Sequence, residues 1–260
     1  MKHQTFMLQQ YIRYRLSARS MQYIHSPFLY SLMLHTFTDR NHTAHNWIEE
    51  ERIRLKKNNT LVPAWEAGAG SRISADKRTV GSIAKYSLQP PRYARLLMRM
   101  ATFLQSATAL ELGTSLGITT AYLVSANSIQ SIDSIEGNPF IASLAQDMFS
   151  KHHLHKIKLH NGLFDDVLPQ ILNTKKKFDF VYIDGNHRRE ATLQYVNQIL
   201  PSCHSNTWLV LDDIHWSPDM QQAWTEIIQM PEFTLSIDIF KMGFLFLNPD
   251  LQKQHFVLKY

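Results

Sequence analysis

The sequence predicts an α/β protein in which a largely parallel sheet carries helices on both faces. Three observations lead there. From residue 107 onward, five short apolar runs alternate with five amphipathic stretches, the pattern of repeated strand–helix units. After the last helix, two apolar runs are separated by only Lys241 and Met242, too short a link for a crossover, so those strands should be antiparallel neighbours. Before residue 60, apolar and aromatic residues recur at three- and four-residue spacings, which predicts a helical extension.

The elements follow in order. In "IHSPFLYSLMLHTF", Ser26 suits an N-cap and Pro27 the first helical position. "NHTAHNWIEEERIRLKKNN" reads as a polar helix, with acids early and bases late to complement its dipole. Segment 67–74 is a Gly/Ser-rich loop, and "PPRYARLLMRMATFLQ" resumes helix after Pro90 and Pro91. Strands are predicted at 108–112, 131–135, 156–160, 178–183 and 207–211. Helices are predicted near 117–127, 139–153, 164–173, 187–200 and 218–229. The antiparallel pair is "FTLSIDIF" and "GFLFLN". The expected division is a helical extension and loop over 1–75 and the main domain over 76–260.

Composition narrows the class without naming a function. With 44% hydrophobic and 19% charged residues over 260, the chain reads as an ordinary globular protein rather than a disordered one. No run of about 18 apolar residues exists to span a membrane, and the first twenty residues lack the apolar core of a secretory signal. A single cysteine, Cys203, forms no internal disulfide, which suits a reducing cytoplasm. Residues 1–60 hold nine Lys/Arg against four Asp/Glu, whereas residues 61–260 hold 18 of each. Five excess charges over sixty residues make no compact basic run, so a solvated helical face is favoured over a nucleic-acid surface.

In open α/β sheets ligands bind at the carboxyl ends of strands. The first strand ends in Glu111, Leu112, Gly113, Thr114, Ser115, Leu116 and Gly117. Gly113 permits a tight turn, and the small residues after it let a ligand approach the backbone. G-x-G-x-x-G is missing, which argues against a cradled pyrophosphate. Glu136 ends the second strand, 23 residues after Gly113, where an acid takes both ribose hydroxyls in nucleoside-binding folds. Asp184 ends the fourth strand, and Asp212 and Asp213 the fifth. Three gathered carboxylates are costly without a cation, and hard oxygen ligands suit Mg²⁺ or Ca²⁺. Because consecutive strand residues face opposite ways, Asp212 and Asp213 share an ion only if the strand bends at its end. The bland reading makes one of them the cap of the following helix.

These motifs resemble the class I S-adenosylmethionine-dependent methyltransferases. They are nearest the metal-dependent O-methyltransferases of the catechol, caffeoyl-CoA and macrolide-sugar types, over roughly residues 80–248. The resemblance implies a Rossmann-like sandwich with a seven-stranded, mostly parallel sheet and an antiparallel last strand. "LELGTSLGITT" resembles the motif around the methionine part of the cofactor, Glu136 matches the ribose acid, and Gly162 in "HNGLFDD" is the expected backbone contact beside adenine. "YIDGNH" and "VLDDIHW" resemble the segments with the metal aspartates. His187 matches the histidine base of the sugar-modifying branch. The catechol branch has lysine there, and Asp-Asn where this chain has Asp212-Asp213. The expected cofactor contacts are Glu111, Gly113, Thr114, Ser115, Gly117, Glu136, Gly162 and Asp184; the metal ligands are Asp184, Asp212 and Asp213; the catalytic residue is His187.

The chemistry agrees with that resemblance. Aligning a nucleophile with a sulfonium methyl can contribute about 7–11 kcal/mol. A divalent ion lowers a hydroxyl pKa, and an imidazole near about 6.5 suits the proton. The expected acceptor is a small molecule, with no membrane partner and with a homodimer as an admissible assembly. Two other readings stand: an RNA or protein methyltransferase docking through the basic helices, and a non-catalytic cofactor-binding protein of the same fold.

Several tempting features are set aside. "GNPF" (137–140) is the start of a helix, since an Asn-Pro-Pro-Tyr-like motif belongs after the fourth strand. The histidines at 152, 153, 155 and 160 read as a basic helix end running into a strand, with no ligand partner at the right spacing. Trp216 and Trp224 divide between walling a substrate and packing on the sheet. "AWEAGAGSR" (64–72) has glycines but no strand leading in, so Gly68 and Gly70 are expected to cross between extension and catalytic domain as a lid hinge.

Overall fold

A computed structural model describes residues 2–37, 45–65 and 78–260. The expected lid hinge at Gly68 and Gly70 lies outside the described residues. Eight strands form one sheet, in the order β3-β2-β1-β4-β5-β7-β6-β8. They are β1 (Thr108–Leu112), β2 (Ser131–Glu136), β3 (Ile157–Asn161), β4 (Phe180–Ile183), β5 (Trp208–Asp212), β6 (Leu235–Asp238), β7 (Met242–Phe246) and β8 (Gln254–Val257). The expected sheet had seven strands. The eighth, β8, pairs parallel with β6 at the edge, and its short, largely exposed "QHFV" offers no apolar run to read. Five strand–helix alternations hold, with ends shifted by at most three residues.

The helices are α1 (Lys2–Ser17), α2 (Pro27–Thr36), α3 (Asn46–Lys56), α4 (Val80–Tyr86), α5 (Pro91–Phe103), α6 (Ile118–Val124), α7 (Pro139–Lys151), α8 (Phe164–Leu172), α9 (Arg189–Ile199) and α10 (Pro218–Ile227). Ser26 Oγ accepts from Leu29 N at 3.3 Å, with Pro27 opening α2 as expected. Asn138 Oδ1 accepts from Phe140 N at 3.0 Å and Ile141 N at 3.2 Å, so "GNPF" is a helix cap. α7 stops at Lys151, short of 153, because His153 adopts φ 54° and turns the chain out of the helix. α4 had no sequence signal of its own; Thr79 caps it, accepting from Ser82 N at 3.1 Å.

The chain divides into two units, residues 35–171 and residues 1–34 with 172–260. In the first, β1 pairs parallel with β2, and β2 with β3. Ile48 and Leu55 of α3, Val80, Ile83 and Ala84 of α4, and Ile118, Ala121 and Tyr122 of α6 share a buried core with Met148 and Phe149 of α7. That apolar face explains why the polar-looking α3 is fixed, and one buried acid reinforces it. Glu51, with 4% of its side chain exposed, accepts from Arg54 Nε at 2.5 Å and His152 Nε2 at 3.0 Å, and also pairs with Lys151.

In the second unit, β4 and β5 are parallel, while β7 runs antiparallel to both β5 and β6. The expected antiparallel pair is therefore present, with β6 trimmed to 235–238 and β7 shifted to 242–246, so that Met242 belongs to the strand rather than to the link. α1 is tied to the chain end by Tyr14, whose hydroxyl donates to Leu258 O at 2.6 Å. Phe28 of α2 stacks on Phe246 with ring centroids 5.8 Å apart. Trp224 is core: a Cβ on Gly243 of β7 would lie 2.5 Å from its ring.

Burial alone would raise the pKa of Glu51, but its bonds to Lys151, His152 and Arg54 outweigh this and bring it to about 2. A carboxylate held below its ordinary value stabilises the fold above about pH 4.5, and that contribution is lost as pH falls toward 2. Glu51→Gln should cost about 1–2 kcal/mol at pH 7, allowing for the exposed partner cations. Denaturant titration should show the gap from wild type closing toward pH 2; a gap independent of pH would contradict the ion-pair account.

Candidate functional site

Two groups of residues stand at the carboxyl ends of strands, one in each unit. In the first, Glu136 is the knot that joins three loops. Its carboxylate accepts from Ser115 N at 2.8 Å and Asn138 N at 2.9 Å. Its backbone carbonyl accepts from Gly162 N at 3.0 Å and Asn161 Nδ2 at 2.8 Å. Gly113 N and Thr114 N donate to Ile135 O, at 3.0 and 3.1 Å. The loops after β1, β2 and β3 are thus sewn to the end of β2. Burial pushes the Glu136 pKa up, against backbone donors that hold it down. A carboxylate has about four acceptor sites, so two amide bonds leave capacity for a diol.

Below the loop, Glu111 is fully buried. Its Oε2 accepts from Thr120 Oγ1 at 2.5 Å and Ser134 Oγ at 2.6 Å, and Thr114 Oγ1 lies 2.5 Å from Ser134 Oγ. Glu111 therefore supports the loop from beneath. Ser115 sits at φ 50°, Gly113 at φ 105° and Gly117 at φ 79°, so the turn depends on left-handed backbone, most readily met by glycine. Sequence reasoning missed Trp65: a Cβ on Gly137 would lie 2.6 Å from its ring, which places the indole against the residue that follows Glu136. A tryptophan before a glycine-rich stretch of sequence carries no periodic signal to reveal this.

In the second group, β5 ends at Asp212 and the chain bends at once, with Asp213 at φ 53°. That bend meets the condition for the two aspartates to reach one cation. The cation they reach is Lys241, whose Nζ donates to Asp213 Oδ1 at 2.7 Å and approaches Asp212 Oδ2 at 3.2 Å. Neither aspartate caps α10; Ser217 does, accepting from Met220 N at 3.1 Å. Asp184 accepts from Tyr182 Oη at 3.0 Å, and His187 Nε2 stands 3.7 Å from its Oδ1. Burial drives the pKa of Asp184 up, and that of Asp212 well up. Burial would lower the Lys241 pKa, yet the Asp212 and Asp213 charges carry it higher. His187 lies before α9, about a third exposed, where it can meet a ligand.

Sequence reasoning also missed the support behind Lys241. Asp238 Oδ1 accepts from Phe240 N at 2.7 Å, and Asp238 Oδ2 lies 2.7 Å from His215 Nε2. The His215 ring stacks on Phe240, centroids 5.4 Å apart. Trp216 is 46% exposed and meets the His3 ring edge-on at 4.5 Å. Among the described residues, no group of three or more His, Cys, Asp or Glu is gathered so as to hold a metal ion; this covers His152, His153, His155 and His160 as well.

At Gly117, an added Cβ would lie 2.7 Å from Phe149 Cε1 and 2.8 Å from Met148 Cε. Gly117→Ala should therefore destabilise the protein by about 1–3 kcal/mol through strain and overpacking. Denaturant unfolding checks this, and an unchanged midpoint would mean that the loop relaxes freely.

Comparison with known proteins bears on the fold. Residues 110–214 match the family model described as a methyltransferase domain. No curated protein matches the chain. The O-methyltransferase TomG from Streptomyces achromogenes, solved with S-adenosylmethionine, is 17% identical over 62% of this chain and 82% of its own, with a TM-score of 0.54. An O-methyltransferase from Bacillus cereus, solved with S-adenosylhomocysteine, is 16% identical over 77% and 89%, also at 0.54. The methyltransferase PaMTH1 from Podospora anserina is 13% identical over 81% and 99%, at 0.56. Residues 110–214 thus resemble a methyltransferase domain, and the chain has the α/β fold that these solved methyltransferases share.

Proposed function

We propose that the protein transfers the methyl group of S-adenosylmethionine to a hydroxyl oxygen of a small molecule. Glu136 carries the reading: a carboxylate at the end of β2 that ties down the glycine loop and keeps acceptor sites for a ribose diol. The residues suit that cofactor. Gly113, Thr114, Ser115 and Gly117 shape a close-approach turn for its methionine part, Glu111 holds that turn from below, and Gly162 offers backbone beside the adenine. Residues 76–260 form the catalytic domain in this reading, and residues 1–75 the helical extension.

When bound, the cofactor supplies an electrophilic methyl on a sulfonium. The acceptor oxygen forms the new O–C bond as the C–S bond breaks, and the electron pair stays on sulfur. His187 takes the hydroxyl proton and passes it to water. Orientation is the larger contribution of the protein, and the loops knotted at Glu136 provide it.

The expected divalent ion at Asp184, Asp212 and Asp213 does not fit these side chains as they stand. Mg²⁺ needs oxygens at about 2.0–2.1 Å, whereas Lys241 already occupies Asp213 and approaches Asp212. No step is routed through an ion. The similarity to TomG, which is involved in tomaymycin synthesis, supports a small-molecule acceptor over RNA or protein.

Two variants test the reading. Glu136→Gln should weaken S-adenosylhomocysteine binding by about 10–100-fold in calorimetry, from loss of charge-assisted bonds to the diol; unchanged affinity overturns the ribose role. His187→Ala should lower kcat by about 10²–10⁴-fold with little change in the acceptor KM. The reverse pattern makes His187 a binding residue.

A further inference from the structure

The fold brings a lysine to the carboxylates by register, and no motif announces it. β7 runs antiparallel to β5 with Met242 opposite Asp212, so the residue before Met242 must stand at the carboxyl end of β5. That residue is Lys241. We propose that Lys241 is the resident cation of this site: its ammonium holds Asp212 and Asp213 and donates a hydrogen bond to the methyl-accepting oxygen, and catalysis needs no divalent ion. The proposal rests on the methyl-transfer reading and deepens it.

Geometry supports each part. Two of the three ammonium protons are engaged by Asp213 and Asp212. With 24% of the Lys241 side chain exposed, the third has room to meet a ligand oxygen. The turn that presents the lysine is held firmly. Phe240 adopts φ 71°, rare for a bulky residue, and is fixed by the backbone bond to Asp238 and by the His215 ring. An ion approaching the same carboxylates would have to displace an ammonium bonded at 2.7 Å. In the transfer step Lys241 forms and breaks no covalent bond. It donates a hydrogen bond to the oxygen while the proton leaves to His187, the O–C bond forms, and the C–S pair departs with sulfur.

Manganese serves as the probe, followed by electron paramagnetic resonance on the full chain. Wild type and Lys241→Arg should leave Mn²⁺ free, and turnover should be unchanged by chelator. Lys241→Ala should take up Mn²⁺ at least about tenfold more tightly, because unbalanced carboxylates then seek a cation, and the further change Asp213→Asn should abolish that uptake. Turnover of Lys241→Ala without metal should fall by about 10²-fold or more, with partial rescue in Lys241→Arg. Should Lys241→Ala fail to fold, Lys241→Gln is read the same way. Mn²⁺ uptake by wild type that Asp213→Asn removes would overturn the proposal. So would equal uptake with and without the lysine, or wild-type activity lost to chelator. Calorimetry with S-adenosylhomocysteine separates the two levels: no cofactor binding beside the expected manganese results overturns the methyl-transfer reading, while the place of Lys241 as counter-charge stands.

Discussion

A carboxylate taken out of water at the end of a strand must find donors or a positive charge, and this requirement organises both strand-end groups. Glu111, fully buried, is met by the hydroxyls of Thr120 and Ser134. Glu136 is met by backbone amides of the loops it joins. Asp212 and Asp213 are met by a lysine from the β6–β7 turn. Each solution does more than satisfy a charge. Hydroxyls under Glu111 set the floor of the glycine loop, amides at Glu136 fix three loops together, and the lysine leaves a directed proton at the acid cluster.

Much of the fold was legible because it rests on periodicity. Strand–helix alternation from residue 107 reflects a sheet covered on both faces, and the short link at Lys241 and Met242 dictated antiparallel strands. Ser26, Asn138 and the prolines after them marked helix starts because capping chemistry is local. What escaped was non-local or unpatterned. α4 is seven residues long and is held by a core of α3, α6 and α7 side chains, so its own sequence says little. β8 is an edge strand of mixed character, stabilised by pairing rather than by an apolar face.

The site shows the same division. Residues that close a strand, such as Glu136, Asp184 and Asp212, were visible from position alone. Their partners were not. Ser134 and Thr120 reach Glu111 from a neighbouring strand and from α6; Trp65 reaches Gly137 across more than seventy positions of chain. Lys241 was in plain view as a turn residue. Only the β5–β7 register turns it into the neighbour of Asp212, and the antiparallel pairing of β6 with β7 does not by itself say which strand β7 joins on its other side. Three carboxylates at strand ends call for positive charge, and their positions alone do not reveal that Lys241 reaches two of them.

The most direct measurement is anomalous diffraction at the manganese edge from crystals grown with S-adenosylhomocysteine and Mn²⁺. The account predicts cofactor at Glu136 and the Lys241 ammonium on Asp212 and Asp213, with no anomalous peak there. A manganese peak bonded to those aspartates, with Lys241 turned away, would contradict it.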